Sequence, residues 1–407
     1  MFIRLTSLFG LLLLLHACTS PKVVRVPAPL VEMSSPYQVD LLWQLRFDSF
    51  KYSDSEGLYF AQDENNVYFA NPNGVLTSAL KESNGRWTDQ VNWQLKINES
   101  IVSGPKLTKQ GLIVGTAKGS LFLLKPEDGS ILWQTQLSSE VLSRAVVNNS
   151  AAFVRTVDGK LYSVNLQTGS INWATERPMP NLSLRGIAPV TLYEDTLYVG
   201  WETGKVEAID ARTGEMIWQT QVLIPRGRTD LERLVDIQAE LILQNRRLYV
   251  FGYQGKLVAL NPSNGNLFWS KDISGYRDFI LDENALYLVD EDDILMAFDL
   301  FNGTLLWKQE NYRYRLLVDL TFFDNNQILL ADGFGYFHWI DKLNGTQIAR
   351  ATHVEIDRQG QKIVRVWVEE HKLYVQDIHG YISVYQVRIS DWYEFNHPNN
   401  PKSLLNP

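Results

Sequence analysis

The chain has a single cysteine, Cys18, in 407 residues. One thiol excludes an intrachain disulfide and any cysteine-rich zinc or iron–sulfur site. Histidine is also scarce. The six lie at 16, 338, 353, 371, 379 and 397, and none pairs with another at a metal-site spacing such as His-x-x-x-His. There is no Gly-x-Ser-x-Gly elbow and no glycine-rich phosphate loop. Positive charge is outnumbered, with 38 Lys and Arg against 46 Asp and Glu, a formal net charge of −8 and a pI of about 5.4. That balance argues against a generally basic nucleic-acid binder, and no nucleic-acid partner is expected. No apolar run reaches membrane-spanning length, since Leu8 to Leu15 is short and broken by Gly10.

What the chain does have is 45% hydrophobic residues, enough for a sizeable core, and a heavy aromatic load of twelve Trp, eighteen Tyr and eighteen Phe. Arg4 followed by the Leu8–Leu15 run has the pattern of a secretion signal over 1–17. Leu15-His16-Ala17-Cys18 then resembles the lipobox of bacterial lipoproteins. The resemblance implies lipidation of Cys18 as the new N-terminus, and Thr19 in place of Asp implies sorting to the outer membrane on its periplasmic side. Residues 18–36, with four Pro, read as a lipidated tether.

Internal periodicity decides the fold. A glycine, a second glycine ten residues later and a tryptophan four beyond that recur at Gly119/Gly129/Trp133, Gly159/Gly169/Trp173, Gly204/Gly214/Trp218 and Gly255/Gly265/Trp269. Asp293/Gly303/Trp307 keeps the frame with Asp in the first slot, and Gly335/Gly345/Ala349 keeps it without the tryptophan. Each unit reads as a β-hairpin. Lys205 to Ile209 alternates as a pleated strand does, and loops such as Asp210-Ala211-Arg212-Thr213-Gly214 carry a capping Asp or Asn and a closing Gly.

Trp43 and Trp93 extend the series backwards, giving eight slots: 43, 93, 133, 173, 218, 269, 307 and Ala349. Trp43 lacks a preceding first arm, and the arm after Gly380 lacks a following tryptophan strand. These complementary halves favour a closed ring over an open solenoid, because closure removes exposed sheet edges. The expected fold is therefore all-β: an eight-bladed propeller of four-stranded antiparallel blades over 37–388, closed by its N- and C-terminal strands. Residues 389–407 read as a tail.

The repeat [Asp/Asn]-x-x-[Thr/Asn/Asp]-Gly-x-x-x-Trp resembles the tryptophan-docking repeat of pyrroloquinoline-quinone dehydrogenases and their non-enzymatic relatives. With the lipobox and eight units, the chain most resembles the BamB family, the outer-membrane lipoproteins of the β-barrel assembly machinery (BAM complex), over roughly 36–388. Leu182-Ser183-Leu184-Arg185 matches the family's Leu-Ser-Leu-Arg element, which implies contact with BamA through Leu182, Leu184 and Arg185. The family's Asp-Val-Asp aligns with Leu234-Val235-Asp236, where only Asp236 keeps the acid. Nascent outer-membrane barrel proteins are further expected partners.

The residues carry a parallel argument. The stretches from Trp173 to Gly204 and from Trp218 to Gly255 are longer than in the compact units, so two neighbouring loops should share one face. The Leu-x-Leu of 182–184 also suits a strand opening the next blade. The competing class is a quinoprotein dehydrogenase or another propeller enzyme. The chain lacks the adjacent cysteines that many quinoproteins carry, so no catalytic residue, cofactor or metal site is expected. His338 is read as packed or surface-lying, Asp290 to Asp293 as a solvated turn, and the repeated tryptophans as structural.

Overall fold

A computed structural model describes residues 25–51, 57–83, 86–87, 90–184, 187–353 and 363–396. Eight blades form a propeller, each with four antiparallel strands running from an inner strand through second and third strands to an outer one, and Gly57–Leu58 adds a short parallel fifth strand to the inner edge of blade 2. Blade 1 spans Ala61 to Lys96, blade 2 Ile101 to Gln136, blade 3 Val146 to Glu176 and blade 4 Thr191 to Gln221. Blade 5 spans Ile242 to Asp272, blade 6 Ile280 to Gln309 and blade 7 Leu317 to Thr352. Blade 8 is composite. Ile363–Glu369, Lys372–Asp377 and Tyr381–Ile389 are completed by Tyr37–Arg46, paired in register from Tyr37 opposite Ile389 to Arg46 opposite Tyr381. The expected closure is thus observed. Between the third and outer strands of blade 1 lies a small hairpin, Glu82–Ser83 with Arg86–Trp87.

Second strands such as Leu112–Thr116 and Ala285–Val289 are buried throughout, because blades cover them on both faces. Outer strands such as Ile131–Gln136 and Met216–Gln221 alternate with exposed positions, as strands with one solvated side should. The core consists of layers between blades. In one, Phe153 and Leu161 of blade 3 meet Leu197, Val199 and Ile209 of blade 4. Each such side chain contributes about 1.5–3 kcal/mol by leaving water.

The repeat tryptophans sit in the outer strands, and those from Trp93 to Trp307 reach across to the next blade's turn between third and outer strands, whereas the Trp43 indole N–H has no hydrogen-bond partner. Trp93, Trp133, Trp173, Trp218 and Trp307 donate their indole N–H to the carbonyls of Pro126, Leu166, Ala211, Pro262 and Lys342, at 2.8–3.1 Å. Each acceptor lies three residues before the second glycine of the repeat. Gly214 shows what that glycine does. Its φ is +75°, and a Cβ there would lie 2.8 Å from the Trp173 ring. The glycine therefore serves both the turn and the ring resting on it. At Trp269 the equivalent carbonyl, Leu300, instead accepts from the Tyr249 hydroxyl at 3.0 Å, and the indole N–H has no partner.

Ala349 has the same kind of explanation. The blade next to it is blade 8, whose third and outer strands come from opposite ends of the chain. No turn joins them, so there is nothing for a tryptophan to dock on. Tyr37, at the start of the incoming strand, fills the space instead. Its ring centroid lies 5.4 Å from Trp339, in a cluster that includes Ala349.

Antiparallel alternation gives the ring two distinct faces. Turns between second and third strands lie on the same face as the long connections from each outer strand to the next inner strand. This is the connection face. The remaining turns lie on the opposite, turn face.

Asp293, expected in a solvated turn, is buried. It takes φ +63° in the slot otherwise held by glycine, accepts from the Leu316 and Leu317 N–H groups, and pairs with Arg277 at 3.1 Å. The physical reason is that its carboxylate satisfies the backbone that opens blade 7. His338 is buried as well, bonded to Asp332 at 3.1 Å and to Gln347. Burial holds its ring pKa below the usual histidine value.

Candidate docking face

The two long connections leave blades 3 and 4 on the connection face. The first is fixed at both ends by buried charge. Near its start, Arg177 donates from Nε to both carboxylate oxygens of Glu207 in blade 4, at 2.9 and 2.8 Å. Near its end, Arg155 of blade 3 donates to the Ala188 and Gly200 carbonyls at 3.2 and 2.8 Å and to Glu202 at 2.6 Å. Its guanidinium also stacks over Trp201. A fully buried ion pair adds stability only when its remaining donors are used; here two backbone carbonyls take Nη1, while Nε has no hydrogen-bond partner.

Between these anchors, residues 181–184 form a loop rather than a strand, and the inner strand of blade 4 begins only at Thr191. The Leu-x-Leu spacing is therefore not blade alternation. Leu182 is 41% exposed and Leu184 is half-buried. Arg185 lies outside the described residues. The Leu184 N–H donates to Asp236 Oδ2 at 3.0 Å, so the two connections touch.

Asp236 does not lie at the surface as a contact acid would. It is 1% exposed, and its backbone carbonyl accepts from the Tyr253 N–H at 2.8 Å. Burial, then the nearby Glu202 charge, push its carboxyl up to about 7, against the Leu184 N–H and Arg155, which favour the charged form. Its Oδ1 has no hydrogen-bond partner. The aspartate acts from beneath, holding the backbone of the Leu182–Leu184 loop.

Sequence reasoning missed the neighbouring projection at residues 224–233. Ile224 is 55% and Leu231 66% exposed there, among Arg226, Arg228 and Arg233. The projection is preformed. Glu232 accepts from the Arg228 and Thr229 N–H groups at 2.6 and 3.2 Å, and Thr229 Oγ1 accepts from the Glu232 N–H at 3.2 Å. Thr-x-x-Glu is a capping-box pattern, and that was the signal available in the sequence.

At the ring's axis a cavity of about 680 Å³ is lined by inner strands and connections of several blades, to which the two long connections contribute Ile187, Pro189 and Gln238. Tyr59 lies between Arg144 and Arg365, each 4.4 Å from its ring. Arg144 pairs with Glu240 and Arg365 with Asp319, both at 2.9 Å. Both arginines beside Tyr59 are thus committed to carboxylates. Among the described residues, no group of three or more His, Cys, Asp or Glu is placed to hold a metal ion. This donor set does not fit the calcium-dependent quinone site of a quinoprotein.

The fold and site define a rigid β-propeller ring with tryptophan-docked blades and one face built of fixed, partly apolar loops. Residues 72–309 match the family described as outer membrane protein assembly factor BamB. An outer membrane protein assembly factor BamB from Kangiella koreensis is 32% identical over 94% of this chain and 95% of its own length. The chain belongs to the BamB family. The crystal structure of BamB from Moraxella catarrhalis covers 86% of this chain and all of its own, at 23% identity and TM-score 0.74, and shares the fold. A quinohemoprotein alcohol dehydrogenase from Comamonas testosteroni shares the fold alone, at 12% identity and TM-score 0.65, covering 85% of this chain and 76% of its own.

Proposed function

We propose that this chain is a non-catalytic scaffold of the β-barrel assembly machinery. It is held at the periplasmic side of the outer membrane by a lipid on Cys18 and docks on BamA through its connection face. The observation that carries the reading is the Leu184–Asp236 hydrogen bond. It ties the two long connections together beneath an exposed Leu182, so that a partner meets a preformed surface. Preformed loops bind with little ordering cost, and an apolar anchor beside an arginine is a common centre of interface energy. Leu182 and Leu184 supply the apolar part, and Arg185 supplies the cation. Asp236 holds the loop rather than touching the partner. Nascent barrel proteins are the clients that the docked ring helps to deliver or orient.

BamA capture by the purified chain tests this. The native protein retains BamA, and the Leu184→Ala, Arg185→Glu double variant loses it while keeping its folded spectrum. Undiminished capture by a folded double variant sinks the interface. For the quinoprotein alternative, stoichiometric uptake of quinone with calcium, read by absorbance and metal analysis, would replace this reading.

A further inference from the structure

The stretch that leads from the membrane to the ring is bound to the ring. Tyr37 begins the outer strand of blade 8 at the turn face, opposite Ile389. Going back along the chain, Ser35 Oγ accepts from the Arg350 N–H in the outer strand of blade 7 at 3.4 Å. Further back, the Ala28 N–H donates to the Arg313 carbonyl at 2.9 Å, and Arg315 Nη1 donates to the Ala28 carbonyl at 3.0 Å. Arg25 then pairs with Asp292 at 3.5 Å and lies over the Tyr314 ring. Arg313, Tyr314 and Arg315 belong to the connection between blades 6 and 7, and Asp292 to a turn between second and third strands. All four are on the connection face.

Residues 36 back to 28 thus run over the outer wall of blade 7, from the turn face to the connection face. Burial agrees. The outer strands of blades 1 to 4 share one largely exposed pattern, whereas Gln347–Thr352 of blade 7 is mostly covered. The receiving site is built in. Arg315 is buried, with its Nε on Asp332 at 2.8 Å and its Nη1 on the Ala28 carbonyl.

We propose that residues 25–36 are a strap that turns the connection face toward the lipid surface. This rests on the Cys18 anchor proposed above. Arg25 is only seven residue steps from Cys18, a reach of about 25 Å when fully extended. The membrane attachment therefore leaves the ring on the face that carries Leu182 and Leu184. A ring tethered freely at Tyr37 would instead hang by its turn face. The strap also covers the edge of blade 7, which removes that strand from pairing with an added one.

The test uses the mature full-length chain bound to phosphatidylethanolamine–phosphatidylglycerol vesicles that contain an energy-acceptor lipid. Mass spectrometry reports whether Cys18 carries its native lipid, which tests the anchor separately. An unlipidated preparation receives a maleimide lipid at Cys18. A donor dye is introduced through a non-natural residue at Asn311 on the connection face or Leu343 on the turn face. Energy transfer should be at least twofold stronger from 311 than from 343. The Arg25→Glu, Ala28→Pro double variant loses the ion pair and the backbone donor and should bring the two sites together, as should Arg25→Glu alone in part. Equal or stronger transfer from 343 in the native chain, or an unchanged ratio in the folded double variant, overturns the proposal.

Discussion

Gly214→Ala separates the two demands that the repeat places on its second glycine. The first is backbone conformation. At φ +75° an L-residue with a Cβ pays about 1–2 kcal/mol. The second is space. The new Cβ would lie 2.8 Å from the Cδ2 and Cε3 atoms of Trp173, and a ring hydrogen-bonded to Ala211 at 3.1 Å cannot retreat without loosening that bond. Overpacking of this kind costs about 1–3 kcal/mol. The sum is about 2–5 kcal/mol, read as a shift in urea midpoint by circular dichroism. Removing the ring should remove the second share. In a Trp173→Leu background, Gly214→Ala should cost only about 1–2 kcal/mol, the dihedral share. A double-mutant cycle with no coupling would show that the ring does not constrain the glycine, and the docking account of the repeat would fail.

Asp236→Asn addresses the buried acid. Burial pushes its carboxyl up to about 7 in the folded chain against an ordinary 3.8, so between those values the folded state holds a proton that the unfolded state has released. Stability from this group is full below about pH 4 and falls as pH rises to about 7, at up to about 1.4 kcal/mol per unit. The Asn variant keeps an acceptor for the Leu184 N–H and should flatten this slope in urea titrations at pH 5 to 8; an unchanged slope would mean that Asp236 is ionised throughout. Ala349→Trp restores the repeat but should destabilise by about 1–3 kcal/mol, because Tyr37 and Trp339 already fill the slot. A raised melting temperature for that variant would contradict the explanation given for the missing tryptophan.

The blade count, the closure and the tryptophan slots were legible because they rest on spacing, and spacing survives in a one-dimensional string. Gly214 was legible as a turn residue from its local chemistry. Its second role was not, because the ring that rests on it lies in the preceding blade. Asp236 shows the same limit at the site. Its alignment marked it as important, but only burial and the Leu184 N–H reveal that it works from below. Arg155 carried no signal at all. It lies in an ordinary strand, and the three hydrogen bonds of its guanidinium go to residues 33 to 47 positions later. Asp293 looked solvated because its neighbours are acidic, whereas its partners Arg277, Leu316 and Leu317 come from the connections on either side of blade 6 and from the start of blade 7.

Several departures from the repeat have a single origin. Completing blade 8 with Tyr37–Arg46 removes the turn on which a tryptophan at position 349 would rest. It also brings Tyr37 into that slot and sends the preceding residues along the wall of blade 7, where Ser35 and Ala28 find backbone partners. Choosing any other strand as the closing one would have moved the vacant slot, the strap and the exit point to another blade together. The closing strand therefore sets where the ring is tied, and blades 6 and 7 are where the chain leaves it. The long connections lie after blades 3 and 4, well round the ring from that exit but on the same face. In the proposed arrangement, a scaffold built this way is held at its anchor and still offers Leu182 and Leu184 to its partner without one contact crowding the other.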